Sequence, residues 1–202
     1  MWAVLPLKDF VSAKRRLSGA LTAVERRRLF HAMVEDVLDA LVASPSIEGV
    51  VIVSDDPSAG LLAEHYNVSL LDEPETSPGR EPLNAAVSAG CQRVKSLAGE
   101  TDIMVLHADL PNISSAEVER IVLARKKSLA AFSECDNLAV GKLVSLLADR
   151  HGSGSNLLVL NSMLPTAVGL SSFDRLFHFG SNSFQKHLSA FAELNIAVEQ
   201  LH

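Results

Sequence analysis

Cysteine is scarce in this chain: Cys91 and Cys135 are the only two among 202 residues. Two cysteines cannot build a disulfide framework, and neither belongs to a CxxC-type metal pair. A reducing cytoplasm is therefore the expected setting. Long apolar runs are also missing. No stretch reaches the roughly 18–20 residues of a membrane span, and the opening MWAVLPLKDF has no basic segment ahead of a long apolar core. Neither a membrane anchor nor a signal peptide is expected. Positive charge is not in excess either. The formal net charge of −6 argues against a nucleic-acid partner, whose footprint is basic. Familiar nucleotide loops are absent: GxGxxG does not occur, and Gly141-Lys142 runs into Leu143 without the upstream glycine of a GxxxxGK[ST] loop. HExxH and GxSxG are absent too, which removes the commonest metalloprotease and serine-hydrolase signatures.

What is present reads as a globular core. Hydrophobic residues make up 48% and charged residues 21% of the chain, a composition that folds. The length suits one α/β domain over residues 1–202. Short apolar runs alternate with helical periodicity. WAVLPL, GVVIVSDD, VSLLDE, DIMVLHADLP, SNLLVLN and IAVEQL read as strands. Between them, TAVERRRLFHAMVEDVLDALVAS is a long helix with Thr22 and Glu25 at capping-box spacing, and Leu29, Met33, Val37 and Leu41 along its expected apolar face. Helices are also expected for PSAGLLAEHY, LNAAVSAGCQRVKSLA, SFQKHLSAFAELN and SAEVERIVLARKK, where Ser114 and Glu117 repeat the capping-box spacing. The segments SLAAFSE and GKLVSLLAD within 128–147 suit either state. Repeated strand–helix alternation predicts a three-layer α/β fold: a mostly parallel open sheet with helices on both faces.

Such sheets bind ligands at the carboxyl ends of their strands, which directs attention to loops 8–17, 54–57, 72–82 and 107–111. The first loop carries Lys8, Lys14, Arg15 and Arg16. It is either merely basic or a cradle for a polyphosphate, since Lys and Arg neutralise charge and donate hydrogen bonds. Asp109 follows a buried strand. It either caps the turn before Pro111 or holds Mg²⁺, which commonly takes one or two carboxylates plus phosphate oxygens. In FGSNSFQKH, Gly180 and Ser183 precede a helix, so Ser183 is an N-cap, an anion contact at a helix N-terminus, or both. The stretch ADRHGSGSNLL is either a tight turn or a loop whose backbone and hydroxyls close around an anion.

Five segments occur together in order: AVLPLKDFVSAKRRLS, GREPLNAAVSAG, HADLP, DRHGSGSN and FGSNSFQKH. In this the chain resembles the 2-phospho-L-lactate guanylyltransferase family. That family includes the phosphoenolpyruvate and 3-phosphoglycerate guanylyltransferases of deazaflavin coenzyme biosynthesis, and its typical motifs are PxKxxxxAKSRL, GLNAAL, ADLP, RxGTGTN and FGxxSFxxH. The resemblance implies a nucleotide-diphospho-sugar-transferase-like fold and transfer of GMP from GTP to a small phosphorylated carboxylic acid. It further implies that Lys14, Arg15 and Arg16 meet the GTP phosphates, with Lys14 catalytic. Leu83, Asn84 and Ala85 would lie by the nucleotide, Asp109 would hold Mg²⁺, and Ser155, Gly180 and Ser183 would grip the acid. Three departures stand out. Pro82 replaces the usual Gly, residues 128–147 form a longer connection, and the sequence stops at His202, ahead of the family's acidic segment of the form DIDTPEDL. Asp149 is the expected substitute for the carboxylate that segment supplies. A related nucleotidyltransferase with another nucleotide or sugar-phosphate acceptor, and a nucleotide binder without turnover, remain open, as does a homodimer.

Overall fold

A computed structural model describes residues 1–8, 10, 14–76, 79–110, 113–135 and 140–201, with the side chains of Arg15, 133–135 and Val140 outside that description. Seven strands share one sheet in the order β3-β2-β1-β4-β6-β5-β7. They are β1 (Trp2–Pro6), β2 (Gly49–Val53), β3 (Ser69–Leu71), β4 (Asp102–Leu106), β5 (Leu143–Ala148), β6 (Ser155–Asn161) and β7 (Ala197–Leu201). Every pairing is parallel except those of β6, which runs antiparallel to both β4 and β5. The helices are α1 (Ala23–Val42), α2 (Pro57–Tyr66), α3 (Pro82–Ala98), α4 (Ser115–Cys135), the single turn α5 (Leu164–Ala167) and α6 (Ser183–Glu193). Among the described residues, no helix is long and apolar enough to cross a membrane.

The apolar strand runs are continuous because both faces of the sheet are covered, and alternate residues serve opposite cores. Ala3, Leu5, Ile52, Met104, Leu157 and Val159 pack with α1, α2 and α4. Val4, Val51, Val53, Ile103, Val105, Leu158 and Leu160 pack with α3, α6 and the phenylalanines 173, 177, 179 and 191. Gly90 of α3 lies so close to β1 and β2 that a Cβ would meet Val4 Cγ1 at 2.5 Å and Val53 Cγ2 at 2.9 Å.

Both expected capping boxes form. Thr22 Oγ accepts from the Glu25 N–H while the Glu25 carboxylate accepts at Thr22, and Ser114 and Glu117 exchange the same bonds. The apolar face of α1 differs from expectation. The buried stripe is Phe30, Val34, Val37, Leu38 and Leu41, whereas Leu29 is 37% exposed and Met33 half-buried. A four-residue step overshoots a 3.6-residue turn by about 40°, so three steps swing Leu29 off the face that Leu41 occupies. In 128–147, SLAAFSE continues α4 to Cys135, and LVSLLA becomes β5. Between them, residues 136–139 lie outside the described residues.

The reversal of β6 matters for the site. Because β5 and β6 form a hairpin, residues 149–154 emerge at the edge where β1, β2, β3 and β4 end. The described residues of the four loops expected at that edge are joined there by a fifth.

Candidate active site

Two side chains distant in sequence meet at this edge. Lys14 Nζ donates to Asp109 Oδ2 at 2.7 Å. Lys14 sits in a left-handed backbone conformation, φ 54°, just before a 3-10 turn over Arg15–Leu17 whose Leu17 N–H returns to the Lys14 carbonyl. Asp109 follows β4 directly. The first loop is fixed from the other side by Asp56, the N-cap of α2, whose carboxylate accepts from the Phe10 N–H at 2.9 Å. The backbone N–H groups of Phe10 and Ser58 hold the Asp56 carboxyl below its ordinary range, against the opposing effect of burial.

The Lys14–Asp109 pair closes one side of a cavity of about 280 Å³ lined by Pro6, Lys8, Lys14, Phe30, Leu83, His107, Ala108 and Asp109. Two ammonium groups and one carboxylate thus share a pocket whose remaining walls are apolar or aromatic. Burial depresses the His107 imidazole pKa, with neighbouring Asp109 acting in the opposite direction. Arg16 is exposed, the side chain of Arg15 is outside the description, and so is Pro111. Asp109 is a lone carboxylate here: among the described residues, no group of three or more His, Cys, Asp or Glu side chains is placed to hold a metal.

A second group adjoins the first. Asn84, in the first turn of α3, binds both backbone groups of Phe179: its Oδ1 accepts from the Phe179 N–H at 2.7 Å and its Nδ2 donates to the carbonyl at 3.4 Å. The Phe179 ring lies edge-on to His107 at 5.2 Å between centroids. The amide of Asn84, expected beside the nucleotide, therefore holds the turn that leads into Gly180. Ala85 is 2% exposed and belongs to the core; Leu83 alone of that trio lines the cavity. Gly180 takes φ 123° and has open space where a Cβ would stand, so this turn requires glycine.

The two serine motifs come together, with their polar groups bonded to one another and to His187. The Ser155 N–H donates to Ser183 Oγ at 2.8 Å, the Phe184 N–H donates to the Ser153 carbonyl at 3.1 Å, and Ser155 Oγ lies 2.9 Å from His187 Nδ1. Ser155 and Ser183 are each 3% exposed. The expected N-cap of α6 also differs, since Asn182 occupies that position without a side-chain cap bond. The reason is local geometry. A bulge, in which Leu147 opposes Leu157 but Ala148 opposes Ser155, turns Ser155 onto the α6 face of the sheet. Bulges commonly re-aim side chains beside active sites.

Asp149, the expected substitute carboxylate, organises its own loop. Its oxygens accept from the His151 and Ser153 N–H groups at 3.0 and 2.9 Å, and backbone donors, Gly154 foremost, hold its pKa low. The glycines of ADRHGSGSN follow from this. Gly152 takes φ 67°, and a Cβ on Gly154 would meet Asp149 Oδ2 at 2.8 Å. The stretch is thus a built turn that also presents Ser155 to α6.

His107 and His187 were not expected at the site from sequence. His187 follows Ser183 by four residues, one helical turn along the same face, which is the signal that marks it.

Comparison with known proteins identifies the chain's family and its fold relatives. A family model described as guanylyl transferase CofC like matches residues 1–200. The phosphoenolpyruvate guanylyltransferase of Conexibacter woesei is 32% identical over 201 residues, covering 98% of this chain and 77% of that one. The enzyme of that name in Rhodococcus erythropolis is 31% identical, covering 94% and 78%. A 2-phospho-L-lactate guanylyltransferase of Methanobrevibacter ruminantium is 28% identical, covering 93% and 71%. Among solved structures, a protein described as a nucleotide-diphospho-sugar transferase from Desulfovibrio desulfuricans G20 has a TM-score of 0.67 at 11% identity, covering 99% of this chain and 78% of that one. A 4-diphosphocytidyl-2C-methyl-D-erythritol synthase has a TM-score of 0.55 at 15% identity, covering 100% and 88%. These structural likenesses show the three-layer α/β fold.

Proposed function

The chain belongs to the guanylyl transferase CofC-like family, and from that premise we propose that it transfers GMP from GTP to a small phosphorylated carboxylic acid, releasing pyrophosphate. The acid is 2-phospholactate, phosphoenolpyruvate or 3-phosphoglycerate. The observation that carries this reading is the meeting of Lys14 and Asp109 at 2.7 Å on the rim of the cavity that Lys8 also lines. Two cations and a carboxylate on an apolar-walled pocket suit a polyanion that arrives with a metal ion.

In the proposed reaction an oxygen of the acceptor phosphate attacks the α-phosphorus of GTP. A new P–O bond forms, the bond to the bridging oxygen breaks, and pyrophosphate carries that electron pair away. A phosphate monoester has a second pKa near ~6, so the nucleophile is already ionised at neutral pH and needs no general base. The protein's task is to screen two anions and align them. Lys8 and Lys14 supply screening charge. The acid is proposed to sit beside the Gly180 turn, which Asn84 clamps, and the 153–155 loop.

Asp109 fits Mg²⁺ in one respect: it is the single carboxylate that such an ion commonly takes when phosphates and water complete its shell. Asp109 would hold the ion, with Lys14 released to the phosphates; when bound, the ion neutralises charge developing on the phosphoryl oxygens. The proposed setting is deazaflavin coenzyme assembly in the cytoplasm, which the five ordered motifs support through the family resemblance and the scarcity of cysteine supports for the compartment.

The test is one assay: GTP and Mg²⁺ with each of the three acids in turn, pyrophosphate release followed and products identified by mass. A product equal to acid plus GMP is expected with at least one acid. GTP binding without pyrophosphate release for any acid would overturn the reading in favour of a binder without turnover.

A further inference from the structure

His187 is completely buried, yet both its ring nitrogens are engaged by different segments. Nε2 lies 2.9 Å from the His178 backbone nitrogen, and Nδ1 lies 2.9 Å from Ser155 Oγ. The donors fix the tautomer. A backbone N–H can only donate, so Nε2 presents its lone pair and the ring proton resides on Nδ1. Nδ1–H therefore donates to Ser155 Oγ. Burial agrees with a neutral ring, lowering the His187 pKa to about 3.

This leaves the Ser155 hydroxyl in a defined state. Its oxygen accepts from His187, so its own hydrogen points elsewhere, and among the described residues no group accepts it. A buried donor without an acceptor is costly and uncommon in native proteins. The Gly180 turn, tied to Ser155 through the two ring nitrogens of His187, has open space where a side chain would stand, and an anionic oxygen there has the chemistry to accept. The same imidazole fixes the chain entering Gly180 through the His178 N–H, so one ring sets the spacing of the serine loop and the glycine turn.

We infer that His187 is a positioning residue for the acceptor: its imidazole commits the Ser155 hydroxyl to donate toward the phosphorylated acid and holds the Gly180 turn beside it. The inference rests on the guanylyltransferase reading above. It assigns Ser155 a role narrower than a generic polar contact, since the hydroxyl oxygen already accepts from His187 and its free hydrogen is left to meet an anionic oxygen.

The test is a double-mutant cycle read as the KM for the acid, the KM for GTP and kcat separately. His187→Phe keeps a ring and removes both hydrogen bonds. His187→Asn keeps a donor near the place of Nδ1. His187→Phe should raise the KM for the acid ten-fold or more while leaving the KM for GTP within two-fold. His187→Asn should recover most of that loss. In a Ser155→Ala background, either His187 change should add less than two-fold, because the group through which it acts is gone. If His187→Phe does not fold, His187→Gln, which can still accept from the His178 N–H but places no donor at Nδ1, takes its place in the same comparison. Additive effects, or equal changes in both KM values, overturn the inference and leave His187 a packing residue. A wild-type protein that transfers GMP to none of the acids overturns the functional reading itself, and this inference with it.

Discussion

Lys14 and Asp109 were legible as a pair only by position, one on a basic loop after the first strand and the other just past a buried strand. Their contact at 2.7 Å gives the pairing its geometry. Lys14 is 23% and Asp109 49% exposed at the side chain, so the ion pair contributes little to stability, about 0–1 kcal/mol. Asp109→Asn should therefore leave the thermal midpoint nearly unchanged and lower Mg²⁺-dependent turnover at least a hundred-fold. Near-wild-type rates at low Mg²⁺ would remove Asp109 from the metal role. The serines were read as contacts gripping the acid, and their bonds to one another and to His187 were not legible, because a bulge and a buried imidazole decide them. His187 also carries a pH signature. Its pKa is about 3 folded and near 6.5 unfolded. Between those values the unfolded chain binds a proton the folded chain refuses, so stability falls as pH drops below about 6.5, by up to ~1.4 kcal/mol per unit. Above that pH the contribution is fully present. Urea unfolding at pH 7, 6 and 5 should show a flatter profile for His187→Asn than for wild type. Parallel profiles would mean that the ring is charged in the fold.

At the scale of elements, periodicity and capping chemistry did most of the work. The six expected strands form where their apolar runs lie, while the run that becomes β5 suited either state, and both capping boxes form, because those signals are local. Two properties were not local. The face of α1 depends on how 3.6-residue turns accumulate over its length, which a four-residue step misjudges. The direction of β6 leaves no trace in composition, since a run such as SNLLVLN is equally apolar read either way. The α3–sheet contact gives a direct test of packing. Gly90→Ala would drive a methyl to 2.5 Å from Val4 Cγ1, and Val4 is itself wholly buried between strands. Overpacking of this kind costs about 1–3 kcal/mol, measurable as a lower urea midpoint with an unchanged m-value. A neutral substitution would mean that α3 shifts freely on the sheet.

For the whole molecule, the two edges of the sheet do different things. The edge at the strand carboxyl ends carries loops, charges and glycine turns. The opposite edge is locked by Arg125, which is fully buried, pairs with Asp102 at 3.2 Å and donates to the Leu143 carbonyl at 3.0 Å. Asp102 begins β4 and Leu143 is the first residue of β5, so one side chain of α4 joins both halves of the sheet. Arg125→Met strands the Asp102 carboxylate without its cation. That should cost about 3–5 kcal/mol, seen as a large fall in thermal midpoint, while KM values for GTP and acid stay unchanged below it. Altered KM values at unchanged stability would place Arg125 in the site's machinery instead.

The backward strand has a consequence for synthesis. Lys14, the Asn84 turn and Asp109 all emerge from the ribosome well before the 149–155 loop, and that loop gains its place only when β6 zips onto β4, Asp102 against Asn161. The nascent chain thus carries one jaw of the proposed site for much of its translation and cannot close the other ahead of β6. Antiparallel pairing of a late strand onto the β4 edge of the early sheet, with the Gly180 turn and α6 still to follow, leaves the second jaw to form only as the last quarter of the chain folds.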